Sequence, residues 1–281
     1  MAPETQPPDP SRVRIVSRED LHHIEERFDP KTRKHLYTVF YLFTDDDDEC
    51  WTGKLERRAE NISLAHLESA LRRVPDDQIY PAMPVKPLMA LIVAPKTPPD
   101  DSETGKFHTA RPTLVLDDTD DAKLKEQNQQ QQQQILLREA IVCQQLVQYP
   151  HPNMIRYHGV RTRRGRITGL VFDRHPHSLW EYLQLGLMPD TDKFMSQLES
   201  GVARLHRLGL AHNNIKPENV VVSNGGDRAV LVNFGNCLPW GKKLPVLYSG
   251  SGGQNLSTKD NDIKGLRQLR SWLENPGDPF R

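Results

Sequence analysis

Cysteine is scarce in this sequence, and neither sign of charge is in excess. The 281 residues include only three cysteines, Cys50, Cys143 and Cys237. They are widely spaced and fit no metal-ligand pattern, which argues against a disulfide framework and a zinc site. Lysine plus arginine and aspartate plus glutamate each total 37, so no global field favours nucleic acid or an anionic membrane. We therefore expect a reducing compartment and no nucleic-acid partner.

Long apolar runs are also missing. No stretch approaches the roughly 18 consecutive apolar residues that a membrane span requires. Residues 1–12 are polar and rich in proline, unlike a signal peptide. The hydrophobic content of 36% is modest but sufficient for a core. These features predict a soluble protein of the cytoplasm, without excluding the nucleus.

Predicted strands and helices follow one another along the chain. Aromatic and β-branched residues predict a strand over 36–43, and apolar spacing predicts a helix from Ser63 to Val74. Short strands are expected over 88–93 and 112–116. Residues 127–134 are glutamine except for Asn128, and this polyglutamine tract runs into a sequence with helical apolar spacing. A helix with a frayed start is therefore expected there.

The second half predicts further elements and two solvated loops. The acidic run 45–49 and the basic run 161–166 are each interpreted as exposed loops, the second as the tip of a hairpin. The remaining predicted elements are strands over 155–160 and 167–172, a helix over 192–207, a hairpin joining 220–222 to 230–232, and a helix over 262–273.

Two short motifs carry the strongest functional signal. Residues 212–219 read HNNIKPEN, and an NFG triplet follows at 233–235. Together they resemble the His-Arg-Asp-Leu-Lys-Pro-x-Asn catalytic loop and the Asp-Phe-Gly metal-binding turn of protein kinases. Three asparagines, Asn213, Asn214 and Asn233, stand where that family has arginine and two aspartates.

The order of elements extends the resemblance over about residues 109–273. The segment VPDDQIYP at 74–81 is similar to one that kinase-like proteins of filamentous fungi often carry ahead of the kinase core. The resemblance implies an α+β, two-lobed protein-kinase-like fold with a short C-lobe. We expect a mobile arm over 1–30, an extension leading into the N-lobe over 31–108, the N-lobe over 109–177 and a truncated C-lobe over 178–281.

The same resemblance implies positions for the nucleotide site. Glu139 corresponds to the helix glutamate that pairs with a strand lysine, and Ala110 occupies the place of that lysine. Lys96 and Lys106 remain alternatives for the lysine. Phe172 corresponds to the residue guarding the adenine pocket, and Asp173 begins the hinge. No glycine-rich phosphate loop precedes Glu139.

The catalytic and metal positions follow from the two motifs. Asn214 takes the place of the catalytic base, and an amide cannot accept a proton near neutral pH. Lys216 would either approach a phosphate or make a structural contact near the loop, while Asn219 and Asn233 would be the metal ligands. Because Mg²⁺ prefers carboxylate and phosphate oxygens, we expect any binding of Mg²⁺ there to be weak.

Within the same comparison, His212, Phe234 and Cys143 are expected to form a buried stack, with Asp262 anchoring the loop. We interpret the chain as a catalytically impaired pseudokinase, a regulatory module that binds a protein partner. The alternative is a weak or atypical ATP-dependent phosphotransferase of the serine/threonine kinase type. ATP and Mg²⁺ are possible ligands under that alternative, and no cofactor is assigned.

Overall fold

The computed structural model describes residues 13–84, 90–95, 106–114, 122–245 and 256–275. No helix in these ranges is both long enough and apolar enough to cross a membrane. The chain divides into two compact units. The first comprises Met1–Met83, Pro112–Gln132 and Arg163–Thr168, and the second comprises Pro84–Arg111, Gln133–Thr162 and Gly169–Arg281. The predicted domain boundaries stay predictions.

The first unit is built on a four-stranded antiparallel meander. Apolar side chains from both faces of the central strand are buried, with Phe40 and Leu42 in one cluster and Tyr41 and Phe43 in another. Both faces of the sheet are therefore covered, which explains the near-continuous apolar sequence of this strand. The elements are β1 (His23–Phe28), β2 (His35–Phe43), β3 (Cys50–Leu55), α1 (Leu64–Ala70), β4 (Arg72–Val74) and α2 (Asp76–Ile79).

Two boundaries in this unit differ from the sequence expectation. An arm was expected through about residue 30, but β1 pairs with β2 in register from His23↔Tyr41 onwards. Pairing with the buried strand offsets the low local hydrophobicity of β1. The helix that starts after the Ser63 cap was expected to reach Val74, but it ends at Ala70. Residues Arg72–Val74 pair with β3 instead, so sheet formation overrides the helical pattern there.

The two charged runs form exposed loops as expected, at 45–47 and at the hairpin tip 164–165, but Asp48 departs from this expectation. Asp48 is fully buried. Its carboxylate accepts a hydrogen bond from Thr168 Oγ1 at 2.8 Å and lies 3.7 Å from Arg163 Nε. Arg164 forms an ion pair with Asp76. Arg163 and Asp48 thus join the two loops in an ion pair between residues distant in sequence, which local patterns do not specify.

The second unit begins with a three-stranded sheet in the order β5-β7-β6 and the helix α3. β5 occupies Phe107–Ala110, a few residues before the strand expected over 112–116, and the chain forms no strand from Pro112 to Leu114. Proline has no backbone N–H for a ladder, so the strand ends before it. The other elements are α3 (Ala122–Leu146), β6 (Tyr157–Arg163) and β7 (Arg166–Asp173).

The glutamine-rich tract is helical throughout. α3 includes all of residues 127–134, and the helix continues through the apolar positions Leu136 and Ala140, which are buried. The prediction of a helix here is confirmed. Glutamine costs little in a helix, and the buried C-terminal half anchors the turns before it.

Helices dominate the remainder of the second unit. α5 buries one apolar stripe, as the sequence predicted, and packs against β11 and α6. Two small sheets have the orders β11-β10-β8 and β12-β9. The elements are β8 (His177–Ser178), α4 (Leu179–Gln184), α5 (Thr191–Arg207), β9 (Leu210–Ala211), β10 (Val220–Ser223), β11 (Arg228–Leu231), β12 (Leu238–Pro239) and α6 (Lys259–Glu274).

Candidate functional site

Asp262 of α6 holds the start of the motif at 212–219. Its buried carboxylate accepts hydrogen bonds from the backbone N–H groups of His212 at 2.9 Å and Asn213 at 2.7 Å. His206 Nε2 lies 2.8 Å from the same carboxylate. The expectation that Asp262 anchors the loop is confirmed. A buried carboxylate of this kind is stable only because donors surround it.

Asn213 is a structural connector that the sequence reasoning did not assign. Its backbone is left-handed, with φ of 62°, a conformation that asparagine tolerates better than most residues. Its Nδ2 donates to the carbonyl oxygens of Ala211 and Asn236 and lies 2.9 Å from Ser257 Oγ. Its Oδ1 accepts from Asn261 at 2.9 Å. The loop, the turn after the NFG triplet and the start of α6 meet at this one side chain.

The two proposed metal ligands are hydrogen-bonded to each other. Asn233 Nδ2 donates to Asn219 Oδ1 at 3.0 Å, and Asn219 Nδ2 donates to the carbonyl oxygen of Asn214 at 2.8 Å. The Asn219 oxygen that would bind a cation therefore already accepts a hydrogen bond from Asn233. Asn233 also has a left-handed backbone, with φ of 65°. This hydrogen bond joins the NFG turn to the loop.

Glu139 of α3 contacts the same turn from the other side. Its Oε1 accepts a hydrogen bond from the backbone N–H of Phe234 at 2.8 Å. Burial raises the pKa of Glu139 to about 7, and the Phe234 hydrogen bond offsets only part of this effect. No lysine or arginine within the described ranges forms an ion pair with this carboxylate.

The position expected to hold the partner lysine carries Ala110. This residue ends β5, opposite Leu170 of β7. Lys106 is exposed, and its carbonyl oxygen accepts the N–H of Arg174. Lys96 lies outside the described residues. The structure therefore places Glu139 beside Phe234, while its pairing with a lysine stays a prediction.

The buried stack expected from the sequence is present at its centre. His212 and Phe234 are both almost fully buried, and their ring centroids are 5.4 Å apart in an edge-to-face arrangement. Cys143 is buried on α3. Burial, with smaller contributions from Glu139 and Cys237, raises the pKa of the Cys143 thiol, so this thiol is not a nucleophile.

Tyr157 is a residue of this region that the sequence reasoning missed. Its ring lies 5.6 Å from that of Phe172, and its buried hydroxyl has no hydrogen-bond partner in the part of the chain that the structure describes. Burial raises its pKa, and Cys143 and Glu139 add to this effect. Its place in β6, two residues after Ile155, resembled an ordinary buried strand position and gave no functional signal.

The hinge positions are occupied by protein contacts. Phe172 is buried in β7, and Asp173 pairs with His158 at 2.6 Å. The backbone N–H of Asp173 donates to the carbonyl oxygen of Arg156. The assignment of Phe172 and Asp173 to a nucleotide site stays a prediction.

The site contains few charges. Lys216 and Asn214 are partly exposed, and neither side chain makes an ion pair or side-chain hydrogen bond among the described residues. No group of three or more His, Cys, Asp or Glu suited to a metal occurs in the described ranges. Lys216 supplies an ammonium group, Asn214, Asn219 and Asn233 supply amides, and Glu139 supplies a carboxyl group with a raised pKa. These groups can bind an anion or a polar ligand, but they do not form a carboxylate metal site.

The comparison with protein families agrees with this geometry. Residues 122–247 match the family model described as "Protein kinase domain". This range includes α3, the sheet strands β6 and β7, the loop and the NFG triplet. The described α+β fold of the second unit is thus protein-kinase-like.

Several curated proteins are similar to part of this chain. The MAP kinase kinase kinase win1 of Schizosaccharomyces pombe is 26% identical over 124 residues, covering 43% of this chain and 9% of win1. The human serine/threonine-protein kinase/endoribonuclease IRE2 is 36% identical over 117 residues, covering 37% and 12%. Cyclin-dependent kinase 4 of Xenopus laevis is 34% identical over 144 residues, covering 48% and 42%. The chain thus spans less than half the length of each of these relatives.

Proposed function

We propose that this chain, which belongs to the protein-kinase-like family, is a catalytically impaired member that works as a binding or regulatory module. Phosphoryl transfer in this family depends on positioning and on neutralising charge with metal ions, a lysine and a catalytic aspartate. The residues at these positions support the loss of that chemistry, while the loop retains its place in the fold.

The hydrogen bond from Asn233 Nδ2 to Asn219 Oδ1 carries the proposal. In a working site both side chains would direct oxygens at Mg²⁺. Here Asn233 directs an amide N–H at Asn219 Oδ1, and the described residues contain no group of three or more His, Cys, Asp or Glu that could hold a metal ion in its place. Metal binding would require breaking this hydrogen bond and would gain only neutral ligands.

Two further substitutions support the same conclusion. Asn214 cannot remove a proton from a substrate hydroxyl near neutral pH. Ala110 brings no charge to a nucleotide phosphate, and Glu139 turns instead to the Phe234 backbone. These losses affect the base, the metal and the phosphate clamp separately, so restoring one of them does not restore the reaction.

A phosphotransfer assay tests the proposal. The wild-type chain, with radiolabelled ATP and Mg²⁺, is expected to label neither itself nor a general protein substrate. The triple variant Ala110→Lys/Asn214→Asp/Asn233→Asp tests whether the missing groups explain the loss. Activity of the wild type that disappears in Lys216→Ala or Asn219→Ala would overturn the proposal.

The second candidate is a weak or atypical serine/threonine-type phosphotransferase. The assembled contacts of Glu139, Phe234 and His212 favour it, since they hold the site in an ordered arrangement. The names of the similar proteins also describe kinases. This candidate requires Mg²⁺-dependent binding of ATP, whereas the impaired module does not.

A further inference from the structure

An exposed aromatic residue lies beside three lysines on the second unit. Trp240 is 42% exposed, and Lys259 Nζ lies 4.2 Å from the centroid of its ring. Lys242 and Lys243 follow Trp240 directly after Gly241 and are both exposed. We call the surface formed by Trp240, Lys242, Lys243 and Lys259 the Trp240 patch.

Backbone hydrogen bonds hold this patch in one geometry. The N–H of Trp240 donates to the carbonyl oxygen of Gly209, and the N–H of Gly241 donates to that of Ser257 at 2.8 Å. The N–H of Ser257 donates to the carbonyl oxygen of Lys242, and the backbones of Lys243 and Leu256 form an isolated antiparallel β-bridge. Gly241 has φ of 77°, which suits glycine in this turn. The backbone of the turn is thus fixed against the residues that precede α6. It therefore does not have to become ordered when a ligand binds.

The charges of the patch are not neutralised by the protein. Within the described ranges, Lys242, Lys243 and Lys259 form no ion pair with a carboxylate. The nearest acid along the chain, Asp260, is a single exposed carboxylate next to Lys259. The Lys259 ammonium group therefore lies against an exposed indole, and two more exposed lysines follow that indole in the same turn, although the chain as a whole has no formal net charge.

We propose that the Trp240 patch docks an acidic peptide segment of a partner protein. Carboxylates of such a segment would pair with Lys242 and Lys243, while an apolar side chain would pack on Trp240. Tryptophan is enriched among the residues that dominate binding energy at protein interfaces, and a charged rim adds specificity. The inference names a partner class for the binding role proposed above and rests on that role.

An acidic peptide fits the patch better than nucleic acid does. Binding to a nucleic-acid backbone uses many phosphate contacts and a wide basic field. This patch offers three lysines, and the chain has equal numbers of acidic and basic residues. A short acidic segment with one apolar residue matches both the number of charges and the exposed ring.

Fluorescence anisotropy tests the proposal with a labelled peptide of sequence EEELEEE. The wild-type chain is expected to bind it at about 50 mM salt and to bind more weakly at about 200 mM salt, because exposed charge pairs are screened. Lys242→Ala/Lys243→Ala is expected to weaken binding by about tenfold or more, and Trp240→Ala by about fivefold or more.

The matched control is Lys31→Ala/Lys34→Ala, which removes two exposed lysines of the first unit. It is expected to leave the affinity unchanged. Equal loss in this control would contradict the proposal, as would an absence of binding at low salt. Binding of a single-stranded oligonucleotide as tightly as the peptide would replace an acidic-peptide site with a general polyanion site.

The outcome is separable from that of the phosphotransfer assay. Circular dichroism and thermal unfolding of each variant establish that it is folded, since all of these substitutions are at exposed positions. Phosphotransfer by the wild type would defeat the impaired-module proposal without changing peptide binding. Failure of the peptide to bind would defeat the docking proposal and leave the catalytic conclusion intact.

Discussion

Three asparagine side chains in this protein belong to a motif typical of catalysis and also hold segments of the fold together. Asn213, Asn219 and Asn233 stand at positions of a catalytic motif, yet each forms hydrogen bonds that connect segments of the fold. Asparagine suits this use because its side-chain amide has both donors and an acceptor. The residue also tolerates a left-handed backbone conformation. The loss of charge therefore need not destabilise the loop.

Restoring one carboxylate should create a measurable response to metal. In Asn233→Asp, a carboxylate oxygen would face Asn219 Oδ1, so the hydrogen bond is lost and about 1 kcal/mol of stability with it. Mg²⁺ at a concentration about tenfold above its dissociation constant would then return about 1.4 kcal/mol. Thermal unfolding with and without Mg²⁺ measures both effects.

Asn233→Ala is the matched control for that experiment. It loses the same hydrogen bond but gains no ligand, so its unfolding temperature should not respond to Mg²⁺. A Mg²⁺ response as large in the wild type or in Asn233→Ala as in Asn233→Asp would contradict the account of the amide pair.

The raised pKa of Glu139 predicts a pH-dependent stability. The pKa is about 7 in the folded chain and 4.5 for an unperturbed glutamate. Between these values the folded state retains a proton that the unfolded state has lost, so stability falls as pH rises from about 4.5 to 7. Glu139→Gln keeps an oxygen for the Phe234 N–H and removes the titration.

The variant Glu139→Gln should therefore become more stable relative to the wild type as pH rises. We expect the difference in free energy of unfolding to move in favour of glutamine by about 1–3 kcal/mol between pH 5 and pH 8. Chemical denaturation at the two pH values measures it. The same difference at both pH values would show that Glu139 is not desolvated in the way its surroundings imply.

At the scale of elements, α6 supports the loop through a close backbone approach. A Cβ added to Gly265 would lie 2.9 Å from Ile215 Cβ and 3.0 Å from the Ile215 carbonyl oxygen. Three residues earlier, Asp262 accepts the loop N–H groups. One face of this helix thus provides both the space and the acceptors that the loop needs.

Gly265→Ala should destabilise the protein although alanine favours helix. The steric cost of overpacking is about 1–3 kcal/mol, which exceeds the gain of about 1 kcal/mol in helix propensity. Ser271→Ala, at an exposed position of the same helix, should change the free energy of unfolding by less than about 0.5 kcal/mol. Urea denaturation of the two variants compares them, and a stabilised Gly265→Ala would refute the close packing.

Sequence reasoning located elements with strong local patterns and failed where long-range pairing decides. The stripe of α5 and the hairpin of β10 and β11 follow from apolar spacing and turn residues, and both were predicted. The end of α1 and the burial of Asp48 depend on β3 and on Thr168, which are distant in sequence. In the site, the motif predicted the positions of Asn219 and Asn233 but not the hydrogen bond that joins them.

At the scale of the whole molecule, the protein-kinase-like second unit has an ordered motif region, and the described residues contain no cluster of acidic, histidine or cysteine side chains suited to a metal. Phe234 contacts both Glu139 and His212, and Asn233 and Asn219 are hydrogen-bonded to each other. A fold can be inherited without its activity. The central claim is therefore that any nucleotide bound by this chain binds without help from Mg²⁺.

Isothermal titration calorimetry with ATP tests this claim most directly. Wild-type protein would be titrated with ATP in excess Mg²⁺ and in excess chelator. The account predicts the same result in both: either no binding, or one affinity that the metal does not change. An increase of about tenfold or more in affinity with Mg²⁺, equivalent to about 1.4 kcal/mol, would contradict it.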